Sequence, residues 1–275
     1  MEIVEKLNNR VDTLGKVYIK DQGDISPFGF MVEKVAPQVD VITHTIATMP
    51  VSYDIKDYDG EKGQTALNFI KTTVKTAIER EDESLGIATT VHTDLINNLA
   101  TDDNETDKLA STIVNSLYKG QVASRTKKIM DTLKKITKVK TNSSLGFQGL
   151  YEIIKNPKGY IASTNDMFPT VYNQSDIVII VKASKIDNIQ YLRNNTLEVW
   201  AVNRDLPQVI VMPDEYFTEP KIYGYIISKD ALKVYEKYIA IESQNNAKYG
   251  FTNYFLRTKN TYFLSPFELA VKLSE

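Results

Sequence analysis

The chain has 275 residues, 42% of them hydrophobic and 25% charged, and a formal net charge of −2. That is the make-up of a globular protein able to bury a sizeable core, as one large domain or two modest ones. The charge excludes whole-molecule attraction to nucleic acid or anionic membrane, and the absence of cysteine excludes disulfides, thiolate metal sites and a cysteine nucleophile.

The first residues, MEIVEKLNNR, carry acids early and no apolar core, so no signal peptide is expected there. No apolar run is long enough to cross a bilayer. Gly15, Gly23, Pro27 and Gly29 interrupt residues 1–30, which predicts an extended arm with a short helix at most. Residues 31–59 favour strand: 39–46 is rich in β-branched side chains, and Met49, Val51, Tyr53 and Ile55 alternate with polar neighbours or proline. Together they read as a long, exposed two-stranded loop, a form that is marginal without a partner surface.

After Gly60 and Gly63, Thr65 is placed to cap a helix carrying Leu67, Ile70, Val74 and Ile78 at helical spacing. A second helical segment is expected over about 84–99, despite Gly86. A third, short one carries Leu109, Ile113 and Leu117 and stops at Gly120. A basic helix, "RTKKIMDTLKKITKVK", is expected over 125–140, with Ile129, Leu133 and Ile136 on one face. "TNSSLGFQGL" reads as a loop. From about Tyr151 the pattern turns to mixed α and β: a buried strand at 177–181, a helix from about Lys185, and two short strands around Pro207. "IYGYIIS" is a strand, "KDALKVYEKYIAIES" a helix, and the aromatic tail from Tyr249 two or more strands.

Reactive groups are scarce. His44 and His92 are the only histidines, and neither sits in a metal-type spacing such as H-E-x-x-H. Glycine-rich phosphate cradles and the G-x-S-x-G elbow are absent. The carboxylates of Asp102-Asp103 and Glu81-Asp82-Glu83 lie in polar runs and read as solvated, since an acid–base role needs burial or a held like charge. Trp200 falls in a strand pattern and reads as core. Lys127, Lys128, Lys134, Lys135 and Lys138 could face phosphate, but a solvated face opposite the Ile/Leu stripe accounts for them as well. Ser228, Lys229 and Asp230 stand side by side, residue types that an enzyme can put to work. Neighbours at a helix start point apart, however, and Ser with Asp in the next turn is an N-cap pattern. The expected catalytic, cofactor-binding and metal residues are therefore none.

The C-terminal third carries a family likeness. Asp230, Ala231 and Leu232, then Asn245, Thr252, Asn253, Tyr254, Phe255 and Leu256, and finally Pro266, Phe267, Ala270 and Val271 follow a recurring pattern. It resembles that of tailed-phage major capsid proteins, nearest to those of small short-tailed phages of Gram-positive hosts. The upstream stretches "DIVIIVKASKIDNI" and "VNRDLPQVIVMPDEYF" resemble that family's axial-domain segments. The resemblance is specific over about 176–273 and architectural before that. It implies an α+β, Hong Kong 97-type fold: an N-terminal arm (1–30), an extended loop (31–63), a peripheral domain with a spine helix (64–145), an axial domain (146–244) and return strands of the peripheral domain (245–275).

The function implied is that of a major capsid protein, not an enzyme, which self-assembles into the icosahedral shell around a double-stranded DNA genome. Implied partners are copies of itself in pentamers and hexamers, a portal, scaffolding or decoration proteins, and packaged DNA by non-specific contact, with no membrane and no cofactor. The implied places are the virion capsid and, during assembly, the host cytoplasm. Three rival readings stand beside it: an encapsulin-like nanocompartment shell of the same fold, a soluble α/β enzyme using Ser228, and a nucleic-acid-binding protein using the 125–140 helix.

Overall fold

The computed structural model describes residues 2–21, 26–34, 41–48, 73–79, 83–99, 103–162, 172–189, 207–246 and 248–275. In chain order the helices and strands are α1 (Glu2–Asp21), β1 (Val32–Lys34), β2 (Val41–Thr48), β3 (Thr73–Glu79), β4 (Glu83–His92), α2 (Thr93–Leu99), α3 (Asp103–Leu133), β5 (Val139–Thr141), α4 (Phe147–Lys155), β6 (Ile177–Lys182), β7 (Gln208–Met212), β8 (Ile222–Ser228), β9 (Leu232–Asn246), β10 (Phe251–Leu264) and β11 (Ala270–Ser274). They fall into two units. One draws on 1–39, 80–135 and 232–264, the other on 40–79, 136–231 and 265–275.

The first unit is a four-stranded sheet, in the order β1-β9-β10-β4, with α1, α2 and α3 packed on it. Its spine is the hairpin β9–β10, antiparallel from Asn246 opposite Phe251 to Leu232 opposite Leu264, with an irregularity at Arg257/Thr258. Along β10 alternate side chains are buried from Thr252 to Asn260, the period-two pattern of a strand with one covered face. Tyr254 and Leu256 share a core with Leu7 and Val11 of α1, Ile96 of α2, and Leu109, Ile113 and Leu117 of α3.

At 31 residues α3 is about 46 Å long. Every fourth residue from Leu109 to Leu133 is buried, and in the middle of that stripe stand Gln121 and Arg125. Gly120 sits inside this helix rather than ending it. An interior glycine costs about 1 kcal/mol, and burial along the whole stripe offsets that. One helix thus replaces the two expected at 109–120 and 125–140, and it ends at Leu133, before the strand β5.

Three other expectations change in this unit. Residues 2–21 form a helix of 20 residues, not an extended arm. Gly15 lies within it, and a Cβ there would collide with Ile241 Cδ1, so the glycine marks close helix-on-sheet packing and not a break. The segment expected as helix over 84–99 is β4 followed by the short α2, because β4 is paired along its length with β10. The segment 232–246, expected as a helix, is the fifteen-residue strand β9.

The second unit holds a mixed five-stranded sheet, in the order β5-β11-β8-β6-β7. All seven residues of β8 and the first five of β6 are buried, as a central strand covered on both faces requires. Ile177, Ile179, Val181, Tyr223, Ile226, Val271 and Leu273 form one core with Leu150 and Ile153 of α4, a helix inside the stretch expected to begin as loop. Gly224 is needed for close approach: a Cβ there would lie 2.7 Å from the Ile180 carbonyl oxygen of the neighbouring strand. The helix expected from Lys185 is a short run of 3-10 turns, Ala183–Asn188. Of the two strands expected around Pro207, the second is β7. The first, with Trp200, lies outside the described residues.

The strands β2 and β3 pair antiparallel as a separate two-stranded sheet, Val41 opposite Glu79 and Thr48 opposite Thr73. The strand expected at 39–46 is thus present. Val74 and Ile78, expected on a helix, lie instead on the returning strand. Met49, Val51, Tyr53, Ile55 and the proposed cap Thr65 lie outside the described residues.

Candidate functional site

Ser228, Lys229 and Asp230 do not form a working group. Ser228 is the last residue of β8 and is buried, whereas Lys229 and Asp230 are exposed in the turn that follows. Ala231 N–H donates to the Ser228 carbonyl at 3.0 Å, closing the turn, and Lys229 N–H donates to Asp176 O at 2.8 Å. Since no helix begins here, the N-cap expectation is corrected: the Ser228 hydroxyl donates to Glu268 Oε2 at 2.9 Å.

Glu268 does not stand out in the sequence, yet it organises this corner. Its Oε2 accepts from Ser228 Oγ and, at 2.8 Å, from Tyr172 OH. Tyr172 OH in turn accepts from Leu269 N–H at 3.0 Å, and Ser228 N–H donates to Leu269 O at 2.9 Å. Among the described residues no histidine or lysine is hydrogen-bonded to the serine as a base, and a serine on a carboxylate has no route to a nucleophile. The cluster satisfies buried polar groups and pins the segment before β11 to the end of β8. The available signal was an acid flanked by Phe267 and Leu269 in "SPFELAV", an unusual neighbourhood for a solvated carboxylate.

The first unit holds a second polar cluster in its core. Arg125 Nη1 lies 2.6 Å from Glu236 Oε2, and the two side chains are 2% and 6% exposed. Gln121 Nε2 donates to the same oxygen at 2.9 Å. Asn260 stands opposite Glu236 in the β9–β10 register. This arrangement ties the middle of α3 to the central hairpin by charge-assisted bonds. It fixes rotation and register where an apolar contact would allow sliding, since a buried ion pair adds little net stability of its own. By sequence pattern Arg125 heads a solvated basic helix. The structure buries it, one turn ahead of Lys128 and Ile129.

Two buried tyrosines are perturbed in the same direction. Burial pushes the Tyr223 hydroxyl up to about 12, helped by the charge of Glu275, and burial alone pushes Tyr254 up to about 12. Tyr254 OH donates to Asn8 Oδ1 at 2.9 Å, which joins α1 to β10. His92 is exposed at the end of β4, and His44 lies in β2. Of the lysines weighed for phosphate, Lys127 and Lys135 are exposed and Lys128, Lys134 and Lys138 half-exposed. The described geometry is therefore that of a scaffold: polar groups are spent on holding elements together.

The family model of Phi29-like phage major capsid proteins matches residues 22–274. The chain belongs to that family. It is a phage major capsid protein, a structural shell-forming protein and not an enzyme, and the readings as nanocompartment shell or soluble α/β enzyme give way to it. The capsid protein resembles the capsid structure of Staphylococcus phage Andhra with a TM-score of 0.59 at 12% identity, over 92% of this chain and 85% of that one. It resembles the acidic stable capsid structure of Helicobacter pylori bacteriophage KHP30 with a TM-score of 0.56 at 11% identity, over 93% and 92% of the two chains. These likenesses carry the fold, the α+β Hong Kong 97-type architecture of phage capsids. No curated protein matches the capsid protein in sequence.

Proposed function

We propose that the capsid protein builds an icosahedral shell of pentamers and hexamers around double-stranded DNA, with the second unit as the axial domain and the first as the peripheral domain. On this reading α3 is the spine helix, the β9–β10 hairpin belongs to the peripheral domain, and the paired strands β2 and β3 are the base of the extended loop. The observation that carries the reading is the family match over 22–274. The separate two-stranded sheet supports it, because a lone strand pair is marginal in water and gains its cover from another surface. A neighbouring subunit supplies such a surface, and specific interfaces typically bury about 1,200–2,000 Å² in total.

A portal, scaffolding or decoration proteins and packaged DNA are the further partners in this scheme, and assembly takes place in the host cytoplasm. Nearness to short-tailed phages of Gram-positive hosts finds support in the Andhra likeness. The KHP30 likeness shows that fold alone does not separate hosts.

Electron microscopy of purified protein tests the shell directly, and hydrogen exchange tests the loop. Amides of β2 and β3 exchange fast in unassembled subunits and slowly in particles. Replacing Val51 and Tyr53, in the adjoining segment, with Asp blocks or weakens assembly while the subunit stays folded. Equal protection in both states, with normal shells from the double variant, would show that the loop packs on its own chain.

A further inference from the structure

The capsid protein is nearly neutral overall, but its charge is unevenly placed. Over residues 119–135 it carries five lysines and one aspartate, with no glutamate. Arg125 adds nothing to the surface there, since it is buried against Glu236. The long helix α1 shows the contrast, with acids and bases interspersed along its length.

The exposed ridge of α3 runs through Ser116, Lys119, Ala123 and Lys127, at three- and four-residue steps that keep it on the side away from the buried stripe, and Lys135 is exposed in the turn just past the helix end. Asp131, the one acid, is held by Lys134 at 2.5 Å. Among the described residues no ion pair is made by Lys119, Lys127 or Lys135. The helix dipole favours cations only in the last turn, so it does not account for Lys119, about four turns from the end, or for Lys127. Ser116 just before these lysines, and Gly120, Ala123 and Ser124 between them, are small side chains that let a surface approach the helix backbone and offer hydroxyl donors.

We propose that this ridge of α3, around Lys119, Lys127 and Lys135, contacts the phosphate backbone of the packaged double-stranded DNA. The inference rests on the reading of the protein as the wall of a DNA-filled head. Lysines presented on a rigid rod without exposed aromatics suit sequence-independent phosphate binding and give no platform for base stacking. A protein–protein interface is the weaker occupant, because interface cores are depleted in lysine and this ridge offers no apolar anchor.

Amine-reactive labelling, read residue by residue by mass spectrometry, compares DNA-filled particles with particles emptied of DNA. Lys119, Lys127 and Lys135 react several-fold less in the filled particles. Equal reactivity overturns the proposal: equally high means that nothing covers the ridge, and equally low means that a neighbouring subunit does. In parallel, unassembled subunits bind a short DNA duplex over a range of salt. The magnitude of the log–log salt slope falls by about 0.9 for each phosphate that is no longer neutralised. Replacing all three lysines with Gln therefore lowers it by about 2 to 3, whereas replacing them with Arg leaves it unchanged. An unchanged slope in the Gln variant counts against the ridge. Failure of the wild-type protein to form any shell would sink the head-wall reading instead, and the duplex measurement would still report on the ridge. Should the Gln variant misfold, the labelling of wild-type particles decides.

Discussion

Replacing Glu236 with alanine strips the guanidinium of Arg125 of its counter-ion at a place water does not reach. Arg125 is 2% exposed, Glu236 5%, and one carboxylate oxygen takes bonds from both Arg125 and Gln121. Removing one member of a buried ion pair costs about 3–5 kcal/mol, because the buried charge left behind loses the carboxylate that balanced it. Gln121 loses its bond as well, for about 1 kcal/mol more. Its Oε1 already lacks a hydrogen-bond partner among the described residues. A loss of about 4–6 kcal/mol is a large share of the roughly 5–15 kcal/mol that holds a folded protein together. Denaturant unfolding of the unassembled subunit, followed by circular dichroism, measures it. Hydrogen exchange in α3 and β9 assigns the loss to the first unit. Glu236→Gln keeps an acceptor and loses less. The double variant Arg125→Met/Glu236→Leu removes both charges and recovers most of the stability. A Glu236→Ala protein within about 1 kcal/mol of wild type, or a double variant weaker than the single one, would refute the account of this cluster.

Ser228→Ala removes one hydrogen bond from buried Glu268 and lowers stability by about 1–3 kcal/mol, seen as a reduced melting temperature; an unchanged melt would mean that the carboxylate is satisfied without the serine. Gly224→Ala forces a methyl group against the Ile180 carbonyl and costs about 1–3 kcal/mol or more, so a neutral substitution would show that β8 and β6 can part at no cost. In alkali the folded chain keeps the protons of Tyr223 and Tyr254 up to about 12, while the unfolded chain gives them up near the ordinary 10.0. Their contribution is whole below that ordinary value and is lost as pH rises through the window between the two. Tyr254→Phe therefore flattens the alkaline fall in stability, and an identical pH profile for the variant would contradict the burial argument.

Several elements were legible because a single local pattern had a single solution. Ile177 to Val181 is an uninterrupted β-branched run, which suits a strand covered on both faces, and β6 is such a strand. "IYGYIIS" became β8 for the same reason. The family resemblance from Asp176 onward was legible at the level of residue pattern, and the fold class followed from it. The polar clusters were not legible, because each gathers residues far apart in sequence. Glu236 meets Arg125 across 111 positions, and Glu268 meets Tyr172 across 96.

Where a segment satisfied two periodicities, tertiary structure chose between them. In 232–246, Leu232, Tyr235 and Ile239 fit a helix stripe, while Leu232, Val234 and Glu236 fit one face of a strand. Pairing with β10 over fourteen residues, with β1 on the other edge, settles it as strand. Segments 73–79 and 84–92 turned the same way, each because a partner strand lay alongside to take its backbone hydrogen bonds. The opposite happened at Gly15 and Gly120, read as breaks. Each sits inside a helix whose neighbours bury an apolar face, and that burial outweighs the roughly 1 kcal/mol cost of an interior glycine. The sequence by itself thus determined which residues are apolar, how they repeat, and which family they resemble. Only the tertiary structure decided strand against helix in the ambiguous stretches, and which distant polar groups meet, because both depend on partners that local periodicity does not contain.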